Sequence, residues 1–414
     1  MKHSKFLLGV SLAAMMSVTT ASAEDLKIGG VAVLEGAFTV LGEDGMRGMQ
    51  LALNEFNNTA GGRTIELITG STDGSPDSAV RAISRIVEQD GAKIVIGPLS
   101  GSEGIAIRDY SKTQPNVTFI NGASAAQDTT LRETSDNFFR FSTEGAQWMA
   151  GLGAYVYNEK GYRSVAVLAE DYSFPYTQVF GFLEPFCRLG GTSPQSARFY
   201  VPLGNKDYSS VIASLPDDVD AIFVALGGSD AVNFLSQYQQ AGGDLPLIGG
   251  SITVDQSVLS SKGSQRDYII GTPSAGPISD TSDDPKWQAF VADYKATFPD
   301  GFSSPSLFAH ASYINTKAAL LALNEVDGDL SDGGTAYRAA LSDLSFETPT
   351  GMVSLDERRQ AIGDIFVTEV VAGPDGALMN ATVSVTPQVS QTLGLSYEEF
   401  LEYGPVSREN PVCE

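Results

Sequence analysis

The sequence predicts an α/β fold built on two parallel β-sheets, each covered by helices on both faces. With 414 residues, the chain is longer than a single domain usually is. Short runs rich in Val and Ile alternate with segments whose apolar residues recur at helical spacing, a pattern typical of buried parallel sheets. The alternation begins afresh at about Phe141. We therefore expect a second sheet of the same kind.

The first part of the chain contains the elements of one sheet. Its predicted strands are Leu26–Val33, Thr64–Thr69, Lys93–Ile96 and Val117–Ile120. A helix is predicted from the helical spacing of Met46, Met49, Leu53 and Phe56. A second helix is expected to begin with Ser75 as its N-cap and Pro76 at its first position, and a third lies near Glu103–Lys112.

The second part repeats this pattern and then departs from it. The predicted strands are Ser164–Leu168, Ala197–Val201, Ala221–Leu226, Leu245–Ile248 and Tyr268–Ile270, and the helices between them are Tyr176–Leu189, Ser209–Leu215 and Ala231–Ala241. Three more helices (Asp284–Phe298, Ala309–Leu323, Thr335–Leu344) and a β ladder (Gly351–Leu355, Asp364–Val371) follow. We expect the late helices to return to the first sheet, so that the chain crosses between two domains more than once.

The N-terminus predicts export. Lys2, His3 and Lys5 precede the apolar run Phe6–Val18, and Ala21–Ala23 has the form that signal peptidase cleaves. The run is short for a membrane span, which disfavours the alternative of an uncleaved anchor. No second long apolar run follows in the sequence, so a receptor domain followed by a span is also disfavoured. The mature protein is expected to be soluble.

The net charge limits the expected binding partners, and the two cysteines predict a disulfide. The net charge of −24 would repel phosphate backbones and anionic lipid surfaces, so neither a nucleic acid nor a membrane surface is an expected partner. In an oxidising compartment, Cys187 and Cys413 are predicted to form a disulfide that ties down the C-terminus. Two unpaired thiols are the alternative, because spacing alone does not decide the pairing.

Several classes of catalytic or metal site are disfavoured. Once the signal peptide is removed, His310 is the one remaining histidine, so neither a His-rich metal site nor a Ser–His relay is expected. The sequence has no phosphate-binding loop and no nucleophile elbow. The carboxylate pairs Glu170–Asp171 and Asp283–Asp284 are interpreted as solvated surface. We expect no cofactor and no metal.

Polar loops follow the strands of the first sheet. Gly97–Gly104 leads from the third strand into a helix, which places Ser100, Ser102 and backbone N–H groups at a helix N-terminus. Such an end suits a carboxylate, although either serine could simply cap its own helix. Asn121–Ala125 follows the next strand. Two such loops define one wall of a crevice at the carboxyl edge of the sheet.

Aromatic and glycine-rich loops follow the strands of the second sheet. Glu170–Tyr176 has three aromatic residues, which could cover an apolar ligand. Packing of the following helix is the alternative. Gly227–Ser229 and Gly249–Thr253 follow later strands, where glycine lets a ligand approach the backbone.

These features together resemble a known family. The export signal, the opening segment Leu26–Phe38 and the loops Gly97–Gly104, Glu170–Tyr176 and Thr348–Val353 resemble the type I periplasmic binding proteins, most closely their leucine/isoleucine/valine-binding branch. The similarity runs from about Asp25 to about Val371. It implies two doubly wound, parallel-sheet lobes joined by a three-crossing hinge, with a solute captured between them and delivered to an inner-membrane ABC permease.

The resemblance also implies a domain organisation. The crossings would lie near Ser142, Thr272 and Phe346. The implied segments are a signal peptide (1–23), a first lobe (24–141 and 273–345), a second lobe (142–272 and 346–385) and a C-terminal tail (386–414).

A set of ligand-binding residues follows from the same resemblance. Ser100 and Ser102 match the loop that holds the ligand carboxylate, and Ser251 matches the loop that receives an ammonium group. The remaining members are aromatic, small or polar residues of the other cleft loops: Phe38, Ala123, Ser124, Ala125, Tyr172, Phe174, Ser229, Phe308 and His310.

Two departures from the family pattern bear on the ligand. Amino-acid binders carry an acidic residue near Ser251, whereas Asp255 is further along the loop and Asp230 is the other candidate. Ala125 replaces a hydroxyl residue. Both favour a carboxylate without an ammonium group, and the aromatic loops favour an aromatic one. The expected function is that of a monomeric periplasmic solute-binding protein, and the alternative is an exported hydrolase on a bilobal scaffold.

Overall fold

The computed structural model describes residues 25–263, 265–374 and 376–414. The predicted signal peptide, 1–23, lies outside the described residues. Within the described ranges, no helix is both long enough and apolar enough to cross a membrane.

The first sheet has six strands in the order β2-β3-β1-β4-β5-β6, all parallel except β2. The elements are β1 (Leu26–Val33), α1 (Thr39–Glu55), β2 (Thr59–Ala60), β3 (Arg63–Thr72), α2 (Pro76–Ser84), β4 (Ile94–Ile96), α3 (Gly101–Ser111), β5 (Thr118–Ile120) and β6 (Phe138–Phe139). Seven of the eight residues of β1 are buried, because helices cover both faces of the sheet. Ser75 caps α2 and Pro76 opens it, as predicted.

The second sheet has four parallel strands in the order β10-β9-β7-β8. Its elements are α4 (Gly145–Trp148), α5 (Leu152–Tyr155), β7 (Val165–Glu170), α6 (Ser173–Arg188), β8 (Arg198–Val201), α7 (Ser209–Ile212), β9 (Ala221–Ala225), α8 (Gly228–Gln240), β10 (Leu247–Gly249), α9 (Gln256–Leu259) and α10 (Gln265–Tyr268). The predicted second parallel sheet is confirmed.

One predicted strand is wrong. The run Tyr268–Ile270 is not a strand, because Tyr268 ends α10 and a turn follows. Of its apolar residues, Ile269 is buried while 45% of the Ile270 surface is exposed. The run therefore closes a short helix, and Gly271, at φ +83°, turns the chain towards the next strand.

The last elements are β11 (Pro273–Gly276), α11 (Pro285–Thr297), α12 (Leu307–Glu325), α13 (Thr335–Asp343), β12 (Phe346–Thr348), β13 (Gly351–Leu355), β14 (Ala361–Ala372), β15 (Leu378–Val389) and α14 (Tyr397–Leu401). Helix α12 packs on α1 and on strands β4 and β5, which confirms that late helices return to the first sheet. Strands β11 to β15 form a third, antiparallel sheet. The sequence analysis did not predict β15, which runs past residue 386.

Below, the first unit means the first sheet with α1–α3 and α11–α13, and the second unit means the second sheet with α4–α10. The chain leaves the first unit just after β6, where Arg140 forms a bridge with Gln360 ahead of β14. Asn315 of α12 fastens this crossing, because its Oδ1 accepts from Phe141 N at 2.9 Å and its Nδ2 donates to Gly122 O at 2.9 Å.

The C-terminal segment lies against the second unit. The predicted Cys187–Cys413 disulfide is present and joins the chain end to α6. Ser193 N donates to Cys413 O at 2.7 Å, and Arg198 Nη1 donates to Pro411 O at 2.8 Å. Helix α14 adds Phe400 to a small apolar cluster with Leu131 and Phe180. The end of the chain is thus held by covalent, polar and apolar contacts.

Replacing Cys413 by Ser is expected to lower the free energy of unfolding by about 2–4 kcal/mol, because the bond closes a long loop in the unfolded chain. Denaturant unfolding measures the change. The Cys187→Ser variant and the double variant are expected to match Cys413→Ser, since each removes the same bond. A reductant should lower the Tm of the wild type alone. Thiols that titrate in the native wild type would contradict the disulfide.

Candidate ligand-binding cleft

The two units meet at the carboxyl ends of their strands, around a cavity of about 10 Å³. Its ten wall residues are all apolar or aromatic: Phe38, Leu41, Leu99, Ala123, Ala125, Trp148, Tyr172, Phe174, Ile252 and Phe308. The first unit and its loops supply six of these, and the second unit supplies four, which include Trp148 on α4 next to the first crossing. Both units therefore contribute to one apolar site.

Phe38 reaches across the cleft from a short turn, Gly36–Phe38, just before α1. Its ring centroid lies 6.3 Å from that of Tyr172 in the second unit. Gly228 makes this approach possible, because a Cβ atom there would come within 2.8 Å of Ala37 O. The sequence analysis predicted that this glycine lets a ligand approach the backbone. In the structure Gly228 instead lets the backbone of the first unit approach.

Trp148 and Phe174 form the aromatic wall nearest the crossing. Their rings meet edge to face with centroids 5.7 Å apart, and Trp148 Nε1 donates to Thr143 Oγ1 at 2.9 Å. Both side chains are almost completely buried. The sequence analysis missed Trp148, which lies on a four-residue helix outside any strand loop. The sequence offered one signal for a role of Trp148, which is that the chain has only two tryptophans.

Two helix N-termini face each other across the cleft. Ser102 in the first turn of α3 and Ser173 at the start of α6 have hydroxyl oxygens 3.2 Å apart. Gly101 lies directly against Phe174, since a Cβ on Gly101 would come within 2.8 Å of the Phe174 Cβ. Both helix ends carry partial positive charge, so the place where they meet favours an anion.

Ser100 acts as a cap for its own helix. Its backbone N–H donates to Glu103 Oε2 at 3.0 Å, as part of a capping box at the start of α3. The expected open amide of Ser100 is therefore occupied, whereas its hydroxyl oxygen is buried and has no hydrogen-bond partner among the described residues. Burial raises the pKa of Glu103 to about 7, although the hydrogen bond from Ser100 N opposes the shift.

The interpretation of Glu170 as solvated surface is wrong. Strand β7 extends through Glu170, whose side chain is fully buried and accepts from Gly227 N at 2.9 Å. Burial raises its pKa well above the usual value. Its neighbour Asp171 stays partly exposed and pairs with Arg408. Burial, together with the charges of Glu170 and Glu103, also raises the pKa of Tyr172.

The structure places Phe38, Ala123, Ala125, Tyr172, Phe174 and Phe308 of the predicted site residues around the cavity. Ser100 and Ser102 lie at the adjoining helix end. Ser124 is buried against Gly104. Ser229 is exposed and donates to its neighbour Asp230 at 3.3 Å.

The other two predicted site residues, Ser251 and His310, lie next to the cleft and outside its wall. Ser251 Oγ accepts from Gln178 Nε2 at 2.7 Å and lines a second, polar cavity. His310 Nε2 lies 3.0 Å from Thr350 Oγ1 in the turn between β12 and β13. Burial lowers the pKa of His310 to about 3, so its ring is neutral. Within the described ranges, no cluster of three or more His, Cys, Asp or Glu residues could hold a metal ion.

Comparisons with known proteins agree with this architecture. The chain is 26% identical over 366 residues to the Leu/Ile/Val-binding protein homolog 8 of Brucella abortus, which covers 81% of this chain and 89% of the relative. An ABC transporter substrate-binding protein from Sphaerobacter thermophilus superposes with a TM-score of 0.78 at 28% identity, covering 88% of this chain and 98% of that one.

A third similar protein was crystallised with a ligand. It is a solute-binding protein of an ABC transporter from Rhodopseudomonas palustris BisB5 in complex with 3,4-dihydroxybenzoic acid, with a TM-score of 0.80 at 24% identity, covering 89% of this chain and 98% of that one. At this identity the likeness shows the fold. The sequence model of the periplasmic binding proteins matches residues 25–376. The chain therefore belongs to the periplasmic binding protein family, in the type I group that includes the leucine/isoleucine/valine-binding proteins.

Proposed function

We propose that this protein is the periplasmic solute-binding component of an ABC importer, and that it captures a small aromatic carboxylate between its two units and delivers it to an inner-membrane permease. One observation carries the proposal: the cavity between the units has an entirely apolar and aromatic wall to which both units contribute. We further propose that the protein acts as a monomer after removal of residues 1–23.

The aromatic wall favours a flat, apolar ligand body. Phe38, Trp148 and Phe174 are each at least 95% buried, and the Tyr172 ring joins them from the second unit. Offset and edge-to-face contacts between rings add about 0.5–1.5 kcal/mol each beyond the burial of area. The cavity of about 10 Å³ is too small for a ring as it stands, so the units would have to part to admit one; an aromatic ring held among them would then gain such contacts from both sides of the cleft.

The two facing helix N-termini favour a negatively charged group at one end of the ligand. Ser102 and Ser173 offer hydroxyl donors there, and the dipoles of α3 and α6 both attract an anion. Without an anion, the two positive ends repel each other as the units close. A carboxylate that contacts both serines would therefore stabilise the closed form specifically, which is what a capture mechanism requires.

A branched-chain amino acid is the second candidate ligand. Its ammonium group would need a carboxylate, and the cavity wall has none. Glu170 supports this candidate, because its Oε2 is buried and has no hydrogen-bond partner among the described residues. Its other oxygen already binds Gly227 N, and the side chain lies outside the cavity wall, so we favour the aromatic acid.

We propose capture without catalysis. The relatives named above are described as binding proteins. The cavity wall contains no His, Cys, Lys or carboxylate side chain that could act as a nucleophile or general base. Turnover of a candidate substrate by purified protein would favour the hydrolase alternative.

Benzoate and hydroxybenzoates are expected to raise the Tm in proportion to their affinity and concentration, because they bind the folded protein alone. A thermal-shift panel with calorimetric confirmation would measure this. Leucine, valine and urea are expected to leave the Tm unchanged. Benzamide, which keeps the ring and lacks the charge, is the control for the carboxylate. A Tm raised by leucine and not by benzoate would contradict the aromatic assignment and support the role of Glu170.

Replacing both Ser102 and Ser173 by Ala is expected to weaken benzoate binding at least about tenfold, because hydrogen bonds to a charged group contribute about 1.5–3 kcal/mol. Isothermal titration gives the affinities. Ser229→Ala is the matched control, since this serine is exposed and its hydroxyl is bonded to its neighbour Asp230. Equal affinities for the double variant and the control would show that the ligand carboxylate does not bind at this end of the cleft.

Benzoate affinity is expected to increase severalfold as the pH falls from 8 to 6. Glu103, with its pKa raised to about 7, is ionised above that pH and repels an incoming anion, whereas the protonated form does not. A ligand carboxyl with a pKa of about 4 stays ionised throughout. Titrations of wild type and Glu103→Gln across this range test the point. The Glu103→Gln variant should lose most of the pH dependence of the benzoate affinity. We assign any remaining dependence to Glu170. A variant with the same pH dependence as the wild type would contradict the role of Glu103.

A further inference from the structure

The C-terminal segment reaches a loop of the candidate cleft from outside. Arg408 lies in this segment, and its side chain meets that of Asp171, which directly follows β7. Arg408 Nε donates to Asp171 Oδ1 at 2.8 Å and Arg408 Nη2 donates to Asp171 Oδ2, so the guanidinium and the carboxylate form a two-pronged pair. Neither side chain belongs to the cavity wall. Arg408 therefore contacts the cleft loop and lies away from the cavity itself.

The Asp171 carboxylate also ties the two ends of this loop together, because Tyr176 OH donates to Asp171 Oδ1. The ring of Tyr176 packs edge to face on that of Tyr200 in β8, with centroids 5.4 Å apart, and the guanidinium of Arg408 lies 5.9 Å from the Tyr200 ring. Residues 172–174 lie between the tied ends. Two of the three line the cavity, and the third is the serine that faces the first unit.

Contacts on both sides of Arg408 hold the backbone of the C-terminal segment. Before it, Gly404 O accepts from Arg132 Nη2 at 2.5 Å. After it, Pro411 O accepts from Arg198 Nη1 at 2.8 Å, and the disulfide described above fixes the end of the chain. Arg132 lies in the loop between β5 and β6, so the first unit holds the segment as well as the second. The arginine is therefore presented to the cleft loop from a backbone that is already fixed.

We propose that Arg408 is a positioning residue for the candidate cleft, and that it acts through Asp171 to hold the loop 171–176 in the conformation that binds the ligand. This role rests on the proposed function, because it concerns the affinity of the same cleft. A loop that is ordered before binding loses less conformational entropy when the ligand binds, which raises the affinity.

The pair is expected to matter more for the loop than for the stability of the whole protein. The Arg408 side chain is 55% exposed, and exposed ion pairs contribute little to the free energy of unfolding. Replacing Arg408 should therefore change the local order of the loop and the ligand affinity, with a small effect on the Tm.

The first test is hydrogen exchange in the mature protein without ligand. The amides of residues 171, 172 and 176 donate to backbone carbonyls, so their exchange reports the order of the loop. Arg408→Ala is expected to speed exchange in a peptide covering 170–177 at least about threefold, and to lower the Tm by about 2 °C at most. Arg188→Ala is the matched control, since it removes an exposed pair with Glu184 at the other end of α6 and should leave this exchange unchanged.

The second test is the affinity for benzoate, measured by isothermal titration. Arg408→Ala is expected to weaken binding about three- to tenfold. Arg408→Lys should recover part of the loss, because lysine keeps the charge and lacks the planar fork. If Arg408 acts through Asp171, then Asp171→Asn and the double variant should both bind benzoate as weakly as Arg408→Ala does.

Unchanged exchange of the loop in Arg408→Ala would overturn the proposal, and this result does not depend on which ligand the cleft binds. Faster exchange together with an unchanged benzoate affinity would overturn it too, since the order of the loop would then not serve binding. Losses that add in the double variant would overturn the route through Asp171. A wild type that binds leucine and not benzoate would contradict the proposed ligand class, and the same variants would then be compared with leucine.

Discussion

The buried guanidinium of Arg140 binds neighbouring chain segments together at the first crossing between the two units. The placement of the two units depends on this crossing. Arg140 is fully buried where the chain leaves the first sheet. It donates to Ala126 O at 2.7 Å, to Thr130 Oγ1 at 2.5 Å and to Gln360 Oε1. Burial lowers its pKa to about 10, so it remains charged at neutral pH, and Glu144 lies among the carboxylates that stabilise that charge. The planar fork of donors joins the loop that contains Ala126 and Thr130 to Gln360, with a fixed geometry that the flexible ammonium group of a lysine would not provide.

The geometry of the cleft follows from this fastening. Arg140 and Asn315 hold the backbone on both sides of Ala123 and Ala125, so two small side chains form a fixed face of the cavity. Helix α4 lies directly on that face, because a Cβ at Gly145 would come within 3.0 Å of Ala125 O. Trp148 at the end of α4 is therefore brought to the cavity. The first crossing thus positions both the small face and the aromatic wall of the site.

The sequence predicted what depends on local pattern and missed what depends on distant partners. Strand β1 and the cap at Ser75 were predicted correctly, because a short apolar run and a capping residue before proline are both features of neighbouring residues. The mistaken strand at Tyr268–Ile270 had the same local apolar signal with no sheet edge to join. The residues that line the candidate cleft were anticipated in part for the same reason, because the aromatic loops end strands. Trp148 and Ser173 were not anticipated, because they reach the cleft from the crossing and from the start of α6.

Several buried carboxylates lie near the place where the two units meet, and they bear on the closure that we propose. Glu103 and Glu144 each accept backbone N–H groups near the crossing or the cleft, and burial raises the pKa of each to about 7. Asp255 accepts a backbone N–H of the opposite unit. Glu103 and Glu144 cap their own helices, whereas Asp255 joins the two units, and the burial of each carboxylate costs desolvation free energy. If the units open and close as we propose, this cost lets a ligand that contacts both units favour the closed form, which is the differential affinity that capture requires.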